Sequence, residues 1–283
     1  MAADKTSLEE LSNNNSNYLN DELDQKNHLQ KIRTVGSVAM TAELFEKLYV
    51  SPQTKVKGDL RKTFGNPTPI ALVGFIMALT PLSCDLMGWR GAGGSGAAEI
   101  GAYYFFGGLL QVITGLLEWI LGNTFSSVVF SSFGAFFLTF GATLTPSFAA
   151  FSTYAVAGDP TSTGLETKGF NASFGYFMLF MGLLCVVYLI CALRVNICFV
   201  MIFFTLILTF SFLTGAYFVL AMNYTGNAVL SAKLLKAAGA SAFVTSAFGW
   251  WTFFAMMLAS IDFPISLPVG DLSKMIKPAS SKA

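Results

Sequence analysis

Past Asn66 the chain runs through six apolar stretches separated by short polar ones, and this pattern confines it almost entirely to helices in a bilayer. Crossing a hydrocarbon core takes about 20 helical residues. The stretches fall near Pro69–Met87, Ile100–Leu121, Phe125–Phe148, Phe174–Leu193, Ile197–Met222 and Ala242–Ile261. With 54% hydrophobic residues, 28 phenylalanines and 12% charged residues among 283, the chain is too apolar for an ordinary soluble domain. The expected class is an all-α membrane protein with six transmembrane helices in a lipid bilayer. A formal net charge of +1 gives no support for a nucleic-acid partner. The connections between the second and third stretches and between the fourth and fifth are very short. Those between the first and second, the third and fourth, and the fifth and sixth are longer.

The organisation reads as a polar cytoplasmic N-terminal tail (1–64), a six-helix domain (65–262) and a cytoplasmic C-terminal tail (263–283). Residues 1–38 lack periodic apolar positions and are expected to be largely disordered. Met40, Leu44, Leu48 and Val50 fall at helical spacing, so a short amphipathic helix is expected near 39–50, lying on the membrane, on a neighbouring subunit or in water. The first apolar stretch begins near Pro69 and is expected to act as its own insertion signal. If both termini are cytoplasmic, the inner side carries Lys55, Lys57, Arg61, Lys62, Arg194, Lys274 and Lys277, against Arg90, Lys168, Lys233 and Lys236 outside. That excess predicts this orientation. The sequons at Asn171 and Asn223 then both fall on the outer side.

The boundary segment itself, Asn66-Pro67-Thr68-Pro69-Ile70-Ala71-Leu72, reads as a helix start. Proline is preset for the first helical turn, where its missing N–H leaves no bond unmade. The amides of Thr68, Ile70 and Ala71, with the Asn66 side chain, would point back along the axis at the positive end of the helix dipole. Such an end either takes a side-chain cap from Asn66 or holds a small anion.

The same segment resembles the Asn-Pro-Ala-Pro-Leu-Gly-Leu signature of the acetate uptake transporter family, which includes bacterial succinate–acetate permeases and fungal acetate and ammonia-export transporters. The similarity continues through Phe105–Glu118 and Gly122–Gly134 and covers roughly residues 64–262. Ala71 stands where the family has glycine. The resemblance implies a plasma-membrane transporter or channel for acetate and related small monocarboxylates, linked to protons and assembled as a homo-hexamer with a path in each protomer. It implies a carboxylate site at Asn66, Pro67, Thr68 and Ala71, and a role for Glu118 in transport or in holding the pore mouth.

An internal period supports three helix hairpins pseudo-repeated around a central path in each protomer. Each odd helix begins at an asparagine (Asn66, Asn123, Asn196) and carries a bulky apolar residue nine or ten positions later, at Phe75, Phe133 and Leu206. Each even helix carries a glycine after a bulky residue, at Gly107, Gly182 and Gly249. Rotation about one axis would bring Phe75, Phe133 and Leu206 to similar depth as an apolar ring. The resemblance makes this ring the constriction, with Phe133 replacing the family's tyrosine.

Glu118, near the cytoplasmic end of the second helix, is placed where an acid can snorkel to the interface. Gln111, two turns deeper, either lines the path or bonds across helices. Asp85 and Glu99 flank the outer loop and read as solvated charges at its mouth. Cys84, Cys185, Cys191 and Cys198 have no spaced ligand partners and read as free thiols. No metal site, cofactor or enzymatic nucleophile with a base is expected. Two alternatives to acetate transport are an ammonia or ammonium exporter, which the missing hydroxyl at Phe133 favours, and a non-transporting membrane sensor or structural protein, which only the polar tail favours.

Overall fold

The structure, a computed structural model, describes residues 63–272 and 275–276, so the amphipathic segment expected near 39–50 lies outside the described residues. Among the described residues six helices are long and apolar enough to cross a membrane: α1 (Thr68–Met87), α2 (Ala97–Ile120), α3 (Thr124–Leu144), α4 (Lys168–Ala192), α5 (Ile197–Met222) and α6 (Ala228–Ser260). Their ends follow local chemistry. Gly88, in the left-handed region at φ 74°, closes α1 by donating to the Asp85 and Cys84 carbonyls. The Thr167 hydroxyl accepts from the Phe170 amide at the start of α4, and Asn196 Oδ1 accepts from the Phe199 amide (2.8 Å) at the start of α5. Pro146 follows α3, which ends at Leu144 and not at Phe148.

Two helices extend beyond their apolar windows. α4 begins at Lys168, and α6 begins at Ala228, fourteen residues before the expected start, so the α5–α6 connection is short. The segment Ser231–Ala242 is rich in alanine and leucine, good helix formers, and Lys233 and Lys236 are exposed along it. Lysines at a helix end keep the charge in water while the backbone stays bonded.

The helices close into a ring in chain order: α1 packs on α2, α2 on α3, α4 on α5, α5 on α6, and α6 on α1. Between α3 and α4 the joint is made by aromatic side chains, Phe136 with Phe177 (6.0 Å between centroids) and Phe140 with Phe174 (6.5 Å). Close backbone approach marks the α1–α2–α3 side. A Cβ on Gly74 would stand 2.5 Å from the Phe106 carbonyl oxygen, and one on Gly134 2.7 Å from Val112. In this region α2 winds as a π-helix over Tyr103–Leu110, a wider turn that is common near functional sites.

Past α6 the chain turns back over the end of the bundle where α5 begins. The Trp251 indole donates to the Pro268 carbonyl (2.9 Å), Ile197 N–H to Gly270 (2.8 Å), and Leu272 N–H to Val195 (3.1 Å). Val269 is buried beneath. Over residues 268–272, therefore, the expected C-terminal tail is seated on the helices. All four cysteines are free.

Candidate functional site

At the start of α1, Asn66 Oδ1 accepts from the Thr68 amide (2.9 Å), and the Ile70 amide donates to the Pro67 carbonyl (2.9 Å). Two of the three amides expected to face an anion are thus engaged within the turn. A carboxylate does sit at this helix end, and it is the protein's own. The Thr68 hydroxyl donates to Glu118 Oε1, and Asn123 Nδ2 donates to Glu118 Oε2 (2.5 Å). Glu118 is 0% exposed, so it does not snorkel as its place in the sequence suggested. Its two oxygens draw α1, α2 and the start of α3 to one point. Charge-assisted bonds from both partners offset the cost of taking the acid out of water. Pro67 is buried beside this knot, and Ala71 lies in the apolar core.

Deeper in the bundle, Phe75, Phe133 and Leu206 line one small cavity together with Gln111, Ile202 and Phe203. Its volume is about 20 Å³, room for roughly one water molecule and for nothing larger. The Phe75 and Phe133 rings meet edge to face at 6.1 Å, and Phe133 stacks on Phe203 at 6.4 Å. The residues expected to form a ring therefore share one narrow, buried, apolar waist. Gln111 also lines it, but its Nε2 donates to the Gly107 carbonyl (2.8 Å) in its own helix rather than across helices.

Sequence reasoning missed Tyr188. Its ring lies 6.2 Å from Phe133 and 5.5 Å from Phe203, and its hydroxyl is hydrogen-bonded to that of Ser132 (2.9 Å). A phenol thus stands beside Phe133, brought by α4 instead of α3. The signal was a lone polar-tipped aromatic in the second half of an apolar helix.

At the opposite end of the bundle from Asn66, a cavity of about 390 Å³ opens between the ends of α3 and α5 and the starts of α4 and α6. Its polar lining comes from Ser95, Thr143, Asn171, Tyr217, Tyr224 and Ser231, and among the described residues no Lys, Arg, His, Asp or Glu contributes. Asn171, expected in a loop as part of a sequon, is a buried residue of α4 and is closed to modification. Asp85, expected to be solvated, is instead buried and structural, while Glu99 stays partly exposed. Asp85 accepts from the Gly96 amide (2.6 Å), and Glu99 accepts from the Tyr103 hydroxyl (3.0 Å). The Asp85 bond ties the α1–α2 loop down at that end.

Known proteins resemble the chain over most of its length. Protein alcS of Aspergillus fumigatus is 48% identical over 84% of this chain and 86% of its own. The acetate transporter protein patA of Aspergillus clavatus is 32% identical over 75% of this chain and 80% of its own. The ammonia transport outward protein 2 of Saccharomyces cerevisiae is 27% identical over 87% and 85%. In fold, the chain is similar to the solved bacterial acetate channel SatP, with a TM-score of 0.57 and 22% identity over 73% of this chain and 99% of that one. A multi-pass membrane protein with such relatives is not an enzyme. A sequence profile of the GPR1/FUN34/yaaH family, the grouping that the Asn66–Leu72 segment resembles, matches residues 50–274, and the chain belongs to that family.

Proposed function

We propose that the chain carries acetate and related small monocarboxylates across the plasma membrane, linked to protons, through a path closed by Phe75, Phe133 and Leu206. The observation that carries this reading is the shared cavity: residues from three separate helices meet at one waist with room for about a water molecule, next to an amide from a fourth. An apolar constriction of that size rejects hydrated cations and discriminates solutes by width. Relatives named as an acetate transporter and an acetate channel support the substrate class.

Gln111 is the polar group that a carboxyl meets at the waist. Asn66, Pro67, Thr68, Ala71 and Glu118 form the inner rim. Because the Glu118 carboxylate already occupies the end of α1, these residues shape access to the waist more than they bind a substrate anion. Both termini are cytoplasmic in this proposal. In the proposal each protomer is built of three repeated hairpins and assembles as a homo-hexamer. The repeat draws support from the even-helix glycines, since Gly107, Gly182 and Gly249 abut Phe137 of α3, Phe210 of α5 and Ile76 of α1 in turn.

A second reading, ammonia export, is favoured by the absence of a hydroxyl on Phe133 and by the named yeast relative. Uptake of labelled acetate and of methylammonium into proteoliposomes holding the full chain separates the two. Acetate accumulation that unlabelled acetate competes away supports the proposal. Methylammonium flux without acetate flux replaces it with the second reading.

A further inference from the structure

The 390 Å³ cavity at the far end lies beyond the waist and is much larger than the waist's own space. Its wall is mainly apolar, with Phe140, Phe174 and Leu220 among its residues. Ser231 is 2% exposed, lines this cavity, and its Oγ has no hydrogen-bond partner. A buried hydroxyl left this way is costly unless something else meets it. Asn171, 1% exposed on the same wall, directs Nδ2 to the Leu165 and Thr167 carbonyls (2.8 and 2.9 Å). Two carbonyl partners fix which end of the amide is nitrogen. What Asn171 has left is an acceptor, Oδ1.

We propose that this cavity takes its ligand as a neutral molecule carrying both a donor and an acceptor, the uncharged acid rather than its carboxylate, with Asn171 and Ser231 as the polar contacts. This rests on the transport reading above and names the form in which the substrate is admitted. A carboxylic acid presents an O–H to the Asn171 acceptor and a carbonyl to the Ser231 hydroxyl. A carboxylate presents acceptors only, so it faces Asn171 Oδ1 acceptor to acceptor, with no cationic side chain on the wall among the described residues to offset its desolvation.

Charges of both signs stand at this end, Lys168 and Lys233 within a turn of Asn171 and Ser231 and Glu166 beside Tyr224, but none of them lines the cavity among the described residues. Burial and the Glu166 carboxylate together push the Tyr224 phenol above its ordinary range, so an acid lies close to this wall. Tyr217 and Tyr224 are the titratable groups on the lining among the described residues, and the carboxyl groups of Asp85 and Glu99 stand behind the loop. A substrate admitted as the acid brings its own proton to the waist, so proton linkage needs no relay side chain there.

The test uses the purified full chain in detergent at neutral pH and three probes of similar size: acetamide, which is neutral with donor and acceptor, methanesulfonate, which is always anionic, and methylammonium, which is cationic. Binding is read by saturation-transfer NMR, which detects weak ligands. Acetamide is expected to bind best, about tenfold more weakly to Ser231→Ala, the loss of one neutral hydrogen bond, and not at all to Ser231→Leu, which fills the space. Ser231→Ala removes an unpartnered group, so the fold is retained. Methanesulfonate or methylammonium binding more tightly than acetamide overturns the proposal, as does acetamide binding that neither variant changes. Acetamide binding that follows Ser231 in a protein that moves no acetate leaves the cavity assignment standing and removes the transport reading instead.

Discussion

The waist and the far-end cavity occupy the same bundle but are built on opposite terms. Around the waist, Phe75, Phe133, Leu206 and their neighbours fill space until about 20 Å³ is left, and among the described residues the only polar side chain on its wall is Gln111. At the far end about 390 Å³ stays open and the wall offers hydroxyls, phenols and an amide without a charge. A tightly packed apolar region discriminates by width, because a dense core resists each added methylene. A roomy region with fixed hydrogen-bonding groups discriminates by chemistry, because a group left unpaired costs more than a poor fit. The difference teaches that size selection and chemical selection can be altered one without the other.

The largest effect that tests this separation is expected at the knot supporting the waist. Glu118→Leu leaves the Thr68 hydroxyl and the Asn123 amide without their acceptor, and two bonds to a charged group are worth about 3 kcal/mol or more. Thermal denaturation in detergent should fall by that amount and acetate uptake should drop with it. Glu118→Gln, which keeps one acceptor oxygen, should lose less. A Glu118→Leu protein as stable as the parent would mean that the knot does not hold the waist. Asn66→Ala comes next. Losing the cap on the Thr68 amide should cost about 1 kcal/mol, with acetate affinity little changed because the turn already uses its own amides. A large loss of affinity at unchanged stability would restore an anion site at this helix end.

Smaller effects are expected from the two phenol positions. Tyr188→Phe removes the bond to Ser132 and should cost about 1 kcal/mol or less in a melt, leaving far-end ligand binding intact. Phe133→Tyr adds a hydroxyl to the waist without widening it. Acetate flux should change while the ratio of large to small acids stays put, in a competition assay with lactate. A shifted ratio would mean that width and chemistry are not separable at this point.

The six spans were legible because a bilayer demands long apolar runs, and the meeting of Phe75, Phe133 and Leu206 at one cavity because each stands nine or ten positions after an asparagine that starts a helix. The early start of α6 was hidden by Lys233 and Lys236, which lower hydropathy without ending a helix. The role of Glu118 was out of reach for a different reason. Its partner Thr68 is 50 residues away, and nothing in either local pattern says that the two helix ends meet. The far-end cavity is assembled from single residues of several segments, Ser95, Asn171 and Ser231 among them, none in a motif that points to a cavity. Asn171 even carried a misleading signal, since a sequon suggests a surface loop where packing makes a buried wall.

The central claim, that Leu206 with Phe75 and Phe133 sets the width of the path, is tested most directly by Leu206→Ala. Uptake of acetate, lactate and succinate is measured per folded transporter in proteoliposomes, beside a thermal melt. The account predicts that the ratio of lactate and succinate to acetate rises several-fold. A packing residue outside the path would behave otherwise: Leu206→Ala would cost roughly 2–5 kcal/mol of stability while the ratio stays where it is in the parent. That outcome would contradict the waist as the constriction.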